Sequence, residues 1–168
     1  MDFISVLMEL VNDPVAYGIV FFLYAVAAAV FLPIPVEIGL FNTTVHPVLL
    51  VVVLAAGKAV GSFIVYYIGI GVRKTIKKWS DGTPLTKKIV DACERFVLKY
   101  GYVGLFIIMS IPLMIDSATL YLFSLLNTKG DGGRALEMPR FVLINFFAGI
   151  LRGSIVLAVF YFIGIKLL

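Results

Sequence analysis

The stretches Pro33-Ile-Pro35-Val-Glu37 and Pro112-Leu-Met-Ile-Asp116 each place a proline four residues before an acid inside a long apolar run. Proline has no amide N–H and disrupts the helical turn that precedes it. A carboxylate surrounded by lipid is costly unless it is paired or lines a water-filled cavity. Each stretch therefore predicts a helix break and a candidate functional site inside a membrane.

The composition indicates an integral membrane protein. Of the 168 residues, 61% are hydrophobic and 14% are charged, and the mean hydropathy is +1.06. Soluble domains contain about 25% charged residues. Four apolar runs each reach the roughly 20 residues that cross a bilayer; they cover residues 15–40, 48–72, 102–126 and 141–165. We predict a single all-α membrane domain over residues 1–168, located in the plasma membrane.

The polar stretch from Arg73 to Lys99 carries eight of the fourteen Lys and Arg residues. By the positive-inside rule, this stretch is cytoplasmic. Thr83 followed by Pro84 predicts a helix start. An apolar stripe then predicts an amphipathic helix on the cytoplasmic face of the membrane; it comprises Leu85, Ile89, Cys93, Phe96, Val97 and Tyr100. Two roles are compatible with this segment: its charges set the topology, or they bind anionic lipid headgroups. We favour the topological role.

Two topologies are compatible with the four runs. If all four runs span the membrane, Lys129, Arg134 and Arg140 lie outside. If the two proline-containing runs are re-entrant hairpins that enter and leave by one face, these bases are cytoplasmic. We favour the hairpins, because they give the clearer charge asymmetry. They also explain the prolines, since irregular backbone in a membrane must be buried in protein or line a cavity.

The two halves of the chain resemble each other. Pro33 aligns with Pro112 at the same offset that aligns Glu37 with Asp116, and a Gly-x-x-x-Gly-Ser helix follows each stretch. Shared features in a common order indicate an internal repeat. We predict an inverted repeat, in which a re-entrant hairpin and then a transmembrane helix occur twice. Repeat 1 covers about 15–72, the linker with its amphipathic helix 73–99, and repeat 2 about 100–168.

The glycines of the two Gly-x-x-x-Gly-Ser motifs are Gly57, Gly61, Gly149 and Gly153. Small residues four apart allow two helices to approach closely. We assign these glycines to helix packing and to no chemistry.

Four ionisable residues lie within the apolar segments, namely Glu37, Lys58, Asp116 and Arg152. Two pairings are open: Glu37 with Lys58 and Asp116 with Arg152, or the cross pairs that form if the hairpin tips meet. Buried ion pairs add little net stability, so we favour a functional role. The carboxylates would relay protons or bind a coupling cation, and the bases would attract a phosphate. Asn145, two turns before Arg152, is a further candidate contact.

Enzyme motifs are absent from the sequence. It contains no GxSxG, HExxH or P-loop pattern, and its single cysteine, Cys93, excludes an intramolecular disulfide and a CxxC motif. We therefore expect no catalysis, no metal, no cofactor and no nucleic-acid partner.

The chain resembles the DedA family, also called the VTT or SNARE-associated Golgi protein family. Residues 32–37 look like its proline-rich acidic motif, 57–69 like its glycine and tyrosine helix, 100–112 like the start of its second hairpin, and 141–149 like its final helix. The resemblance covers roughly residues 29–164. It implies two opposed re-entrant hairpins and membrane-lipid transport. Bacterial members are implicated in recycling polyprenyl-phosphate carriers with the proton motive force, and eukaryotic relatives scramble phospholipids.

The chain departs from that family at four positions. The arginines that often flank the second proline are replaced by Met109, Leu113 and Ile115, and the acid that often follows the second glycine of the first spanning helix is replaced by Ser62. Phosphate recognition would then fall to other bases, for which Lys58 and Arg152 are the candidates.

Together these features predict a transporter or flippase of an anionic lipid, either a polyprenyl phosphate or a phospholipid. Coupling to protons or sodium would pass through Glu37 and Asp116. The alternatives are a transporter of a small solute or ion, and a non-transporting membrane scaffold whose ion pairs are structural. With so few segments to enclose a lipid path, a homodimer is compatible with the sequence.

Overall fold

The computed structural model describes residues 13–31, 35–80, 84–127 and 136–163, and Pro33 lies outside them. The described part is helical and contains no strand, which confirms the all-α prediction. Its elements are α1 (Pro14–Val30), a 3-10 helix (Val36–Phe41), α2 (Pro47–Ser80), α3 (Pro84–Ser110), α4 (Asp116–Leu125) and α5 (Met138–Ile163).

Helices α2 and α5 contain the two described segments that are long and apolar enough to cross a membrane. These are Pro47–Val72, with 26 residues, and Met138–Phe162, with 25 residues. At 1.5 Å per residue each is roughly 38 Å long, which exceeds a hydrocarbon core of about 30 Å. The two helices belong to the halves in which the sequence predicts one spanning helix each, and their length is compatible with a membrane protein.

Helices α2 and α5 pack antiparallel to each other. A Cβ added at Gly149 would lie 2.9 Å from Cα of Ala55, and one added at Gly153 would lie 3.1 Å from a side-chain carbon of Val51. Residue numbers thus fall along α2 as they rise along α5. Gly149 and Gly153 bring the two backbones together, so the long side chains of Lys58 and Arg152, on facing helices, both reach Oδ1 of Asp116.

Helix α1 runs parallel to α2 and contacts it through the other glycine pair. A Cβ added at Gly57 would lie 2.6 Å from Cβ of Ala25, and Gly61 contacts Ala29, one turn further along both helices. These contacts leave no room for side chains at either glycine.

The first helix break separates α1 from the 3-10 helix. Helix α1 ends at Val30, so residues 15–40 do not form one spanning helix. The Tyr24 hydroxyl donates to the carbonyl of Pro35 at 3.3 Å, and the Tyr17 hydroxyl donates to that of Gly39 at 2.8 Å. The 3-10 helix therefore runs back along α1 towards the end where α1 begins.

The second break separates α3 from α4, between Ser110 and Asp116. Nζ of Lys58 donates to the carbonyl of Met109 and to the carboxylate of Asp116, both at 3.2 Å. Met109 and Asp116, on the two sides of this break, therefore both lie beside Lys58 of α2.

A kink at Gly101 divides α3. Its φ is 45° and its ψ is −124°, a conformation that glycine adopts far more easily than other residues. A Cβ added at Gly101 would lie 3.7 Å from Leu136, and Asn127 bonds the same Leu136. The part of α3 that follows Gly101 therefore runs beside α4 and in the opposite direction.

The basic segment belongs to two helices. Helix α2 continues past Val72 to Ser80, because Lys and Arg are good helix formers. Helix α3 begins at Pro84, where the sequence predicts a helix start. Lys88 and Arg95 are exposed and Val97 is buried. Three of the six residues of the predicted apolar stripe, Leu85, Ile89 and Cys93, lie outside the described side chains.

Candidate functional site

The four ionisable residues of the apolar segments form one buried cluster. Arg152 lies at its centre, where Nε donates to Oε1 of Glu37 at 2.5 Å and Nη1 donates to Oδ1 of Asp116 at 2.6 Å. Lys58 donates to the same Oδ1 at 3.2 Å. The side chains of Lys58 and Arg152 are 0% exposed and those of the two acids 4%. Two acids and two bases give the cluster a formal charge of zero.

The observed ion pairs include both cross pairs. Glu37 pairs with Arg152, Asp116 pairs with Lys58, and Asp116 also pairs with Arg152. Glu37 and Lys58, both described, form no ion pair with each other. The reason is the direction of the 3-10 helix, which returns beside α5 and brings Glu37 to Arg152.

The second break adds backbone groups to the cluster. The N–H of Leu113 donates to Oε1 of Glu37 at 2.8 Å, and Nη2 of Arg152 donates to the carbonyl of Met114 at 2.9 Å. Leu113 has a φ of 62°, which costs a non-glycine residue roughly 1–2 kcal/mol. Strained backbone of this kind is concentrated at functional sites. The two breaks thus meet, the first supplying a carboxylate and the second an N–H.

An apolar groove extends from the cluster between the 3-10 helix and the end of α5. Its cavity volume is about 270 Å³, and among the described residues that line it only Glu37 is charged. Pro35 and Pro112, the described prolines of the two breaks, lie on its walls together with Ile38, Phe41, Val159 and Phe160. The rings of Phe41 and Phe160 contact each other, with centroids 5.0 Å apart. A hydrocarbon chain is the ligand that such a lining favours.

Two buried acceptors receive no hydrogen bond from the described residues. They are Oε2 of Glu37 and Oδ1 of Asn145. Asn145 lies on α5 and donates through Nδ2 to the carbonyl of Phe141 at 2.8 Å, without bonding the charge cluster. An unsatisfied buried acceptor costs about 1–3 kcal/mol. Both atoms are therefore candidates for binding a ligand, a proton or water.

A second polar cluster lies where α4, α5 and α2 meet, and we name it the Asn127 clasp. It comprises Tyr66, Asn127 and Leu136. The Tyr66 hydroxyl and Nδ2 of Asn127 both donate to the carbonyl of Leu136, at 2.8 and 2.7 Å, and the N–H of Leu136 donates to Oδ1 of Asn127 at 2.5 Å. This cluster was not predicted from the sequence, because an isolated asparagine after a helix carries no signal that it is buried.

Comparisons with family models, curated proteins and solved structures give no match for this chain. The geometry of the charge cluster, its groove and the Asn127 clasp is therefore what supports a function.

Proposed function

We propose that the protein moves an anionic lipid between the leaflets of the plasma membrane, coupled to protons or sodium. One observation carries the proposal, namely a buried, charge-balanced cluster at the end of an apolar groove. Arg152 and Lys58 supply the N–H donors that a phosphate headgroup requires. The groove would hold a hydrocarbon chain of a polyprenyl phosphate or a phospholipid. Membership of the DedA family is part of the proposal.

The proposed topology has two re-entrant hairpins, one formed by α1 with the 3-10 helix and the other by the last part of α3 with α4. The chain reversals at both breaks support it. The first hairpin starts and ends beside the beginning of α2, and the second lies beside the later part of α2, past Lys58. Their tips meet where Leu113 bonds Glu37. Two hairpins of opposite direction with meeting tips are what an inverted repeat requires.

Charge balance suggests how the lipid and the proton are coupled. An anionic headgroup that binds Arg152 or Lys58 must compete with Asp116 and Glu37 for the same N–H groups. A proton on either carboxylate weakens that competition and also balances the added negative charge. Binding of the headgroup and binding of the proton then favour each other, as linkage requires. Sodium held between the carboxylates would act in the same way.

Reconstituted vesicles test the proposal. We expect the protein to move a fluorescent anionic phospholipid or a polyprenyl phosphate between leaflets, and Glu37→Gln and Asp116→Asn to lower the rate by at least about tenfold, the effect typical of a lost buried charge contact. Glu137→Gln and Asp91→Asn are matched controls, because these acids are exposed and lie outside the cluster. Inhibition by soluble phosphate alone would instead indicate a small-anion transporter. Unchanged transport in both cluster variants would refute the role of the carboxylates.

A scaffold function is the second candidate, because the cationic groups of Arg152 and Lys58 are fully buried and bonded to carboxylates. In that case the double variant Lys58→Met with Asp116→Asn would fold and support growth as the wild type does. A lipid transporter carrying the same double substitution would fold and not transport.

A further inference from the structure

Polar side chains continue from the charge cluster along one face of α2, away from the apolar groove. Lys58, Ser62 and Tyr66 are spaced four residues apart, so they lie on one face of the helix. All three are 0% exposed. Tyr66 belongs to a buried hydrophobic cluster that includes Val65, Leu105 and Leu120. A line of buried polar groups therefore leads from the charge cluster into a mainly apolar part of the interior.

Helix α5 adds Asn145 to this line. Gly149 contacts Lys58, and the ring of Phe141 contacts that of Tyr66 with centroids 5.3 Å apart. The ring contact places Asn145 near the level of Ser62, and the contact of Gly149 with the backbone of Ala55 places it near Ala59. Asn145 therefore lies within one turn of the level of Ser62.

The line ends at the Asn127 clasp. Nδ2 of Asn127 lies 3.4 Å from the Tyr66 hydroxyl. The clasp is next to the connection between α4 and α5, so the line runs from the charge cluster to the end of the molecule that carries this connection. The apolar groove leaves the cluster at the opposite end, towards Phe41 and Phe160.

The spacing along α2 suits single water molecules between the polar groups. Positions four residues apart are about 6 Å apart along a helix axis, at 1.5 Å per residue. Two hydrogen bonds of about 2.8 Å in sequence, through one water, cover nearly that distance. Oδ1 of Asn145 is buried and accepts no hydrogen bond from the described residues, so it is available as an acceptor for such a water. Buried waters characteristically satisfy otherwise unpaired groups of this kind.

We propose that Ser62, Asn145, Tyr66 and Asn127 bind a file of water molecules that carries protons between bulk water and the carboxylate of Asp116. We call this the polar file. It rests on the proposed function, because it states where the coupling ion gains access and that the ion is a proton. One proton leaves a bulk hydronium ion and, after transfer along the file, converts the Asp116 carboxylate to the neutral acid. The reverse transfer restores both charges.

Few charged groups surround the proton acceptor. Lys58 of α2 and Arg152 of α5 bond Asp116, and Glu37 of the 3-10 helix faces it across Arg152. The described parts of α1 and α3 that pack at this level carry no charged side chain. Protonation of Asp116 would leave Lys58 and one N–H of Arg152 free for the anionic headgroup. The two substrates would thus reach one cluster from opposite ends, the lipid chain through the groove and the proton through the file.

Thiol protection by Ag⁺ tests water access without requiring transport. Ser62→Cys and Val65→Cys are introduced separately into a Cys93→Ser background, purified in detergent, exposed to Ag⁺, denatured and labelled with a maleimide. Both positions are 0% exposed and lie within one turn of α2, so Val65→Cys is the matched control. We expect Ag⁺ to protect the thiol at 62 at least about tenfold faster than that at 65, because only a hydrated thiol ionises to the reactive thiolate. Equal protection would overturn the polar file, whatever the protein transports.

Asn145→Leu tests whether the file carries the coupling proton. The substitution is close to isosteric and removes Oδ1, so an asparagine with no proton role would yield a variant with normal pH-driven transport. We expect thermal stability close to that of the wild type together with an about tenfold loss of pH-driven lipid movement and of proton uptake by vesicles of phosphatidylcholine and phosphatidylglycerol containing a pH dye. Lipid exchange without a pH gradient should persist. Ser154→Ala, an exposed position of α5, is the control.

The two experiments distinguish failure of the polar file from failure of the proposed function. If the wild type moves no lipid in any gradient, the proposed function is wrong, and the Ag⁺ result alone decides whether the water file exists. If the wild type moves lipid and Asn145→Leu retains full pH-driven movement, the proton role of the file is wrong and the lipid function stands.

Discussion

Arg152 determines how the charge cluster is arranged. A guanidinium presents several N–H donors in a fixed plane, so one arginine can bond two carboxylates at once. Its partners are 115 and 36 residues away along the chain. The sequence predicted which four residues carry buried charge, since any ionisable residue in an apolar run is conspicuous. It left the pairing open, because the partner of Glu37 depends on the side of the hairpin along which the 3-10 helix returns.

A double-mutant cycle tests the pairing. Removing Lys58 alone or Asp116 alone leaves a buried charge without that partner, at a cost of about 3–5 kcal/mol. Removing both should cost less than the sum, by roughly 0.5–3 kcal/mol. We therefore expect Lys58→Met and Asp116→Asn to show a larger coupling in the free energy of unfolding than Lys58→Met and Glu37→Gln. The second cycle is the control, because Lys58 and Glu37 share only indirect contacts. Equal coupling in the two cycles would contradict the observed pairs.

Prolines mark the helix boundaries that could be predicted. Pro14, Pro47 and Pro84 each begin a helix, a position where the missing N–H is harmless and the fixed φ is already helical. The helix breaks before Glu37 and Asp116 follow from the same property of proline. Inside an apolar run, its missing N–H interrupts the helix. The kink at Gly101 was not predicted, because glycine is compatible with both helical and left-handed backbone and only the contact with Leu136 selects between them. The Asn127 clasp depends on tertiary structure in the same way.

Alanine substitution tests the kink at Gly101. At a φ of 45° an added Cβ is strained, so Gly101→Ala should lower the free energy of unfolding by roughly 1–2 kcal/mol. Gly71→Ala is the matched control, since Gly71 lies inside α2 with nothing within 4 Å of an added Cβ. There, alanine should stabilise the helix by about 0.5–1 kcal/mol. The measurement is denaturant unfolding in detergent followed by circular dichroism. Two shifts of the same sign would argue against the kink.

The two halves of the chain have their helices and breaks in the same order and differ in one element. After its break, the second half forms the ten-residue helix α4 where the first forms the six-residue 3-10 helix. Helix α4 reaches from Asp116 of the charge cluster to the Asn127 clasp. The shorter 3-10 helix leaves the apolar groove beside α5. In the proposed repeat, this difference would give the charge cluster an apolar access on one side and, through the proposed polar file, a polar access on the other.

Cysteine labelling tests the arrangement of these accesses across the membrane. Thr43 follows the first hairpin near the start of α2, and Glu137 precedes α5 at the other end of the molecule, where its N–H bonds the Tyr102 hydroxyl at 2.6 Å. Both side chains are exposed. In a Cys93→Ser background, an impermeant maleimide should label Thr43→Cys in intact cells, and label Glu137→Cys and the control Lys88→Cys only after permeabilisation.

The expected labelling pattern differs between the two topologies. With re-entrant hairpins, the chain crosses the membrane once between Thr43 and Lys88, through α2. It does not cross between Lys88 and Glu137, so these two residues lie on the same side. The many bases of the 73–99 segment then fix that shared side as cytoplasmic. If all four apolar runs crossed the membrane, Glu137 would lie on the side of Thr43 and opposite Lys88. Labelling of Glu137→Cys in intact cells together with Thr43→Cys would therefore exclude the hairpins, and with them the meeting of the two breaks at a site reached from both faces.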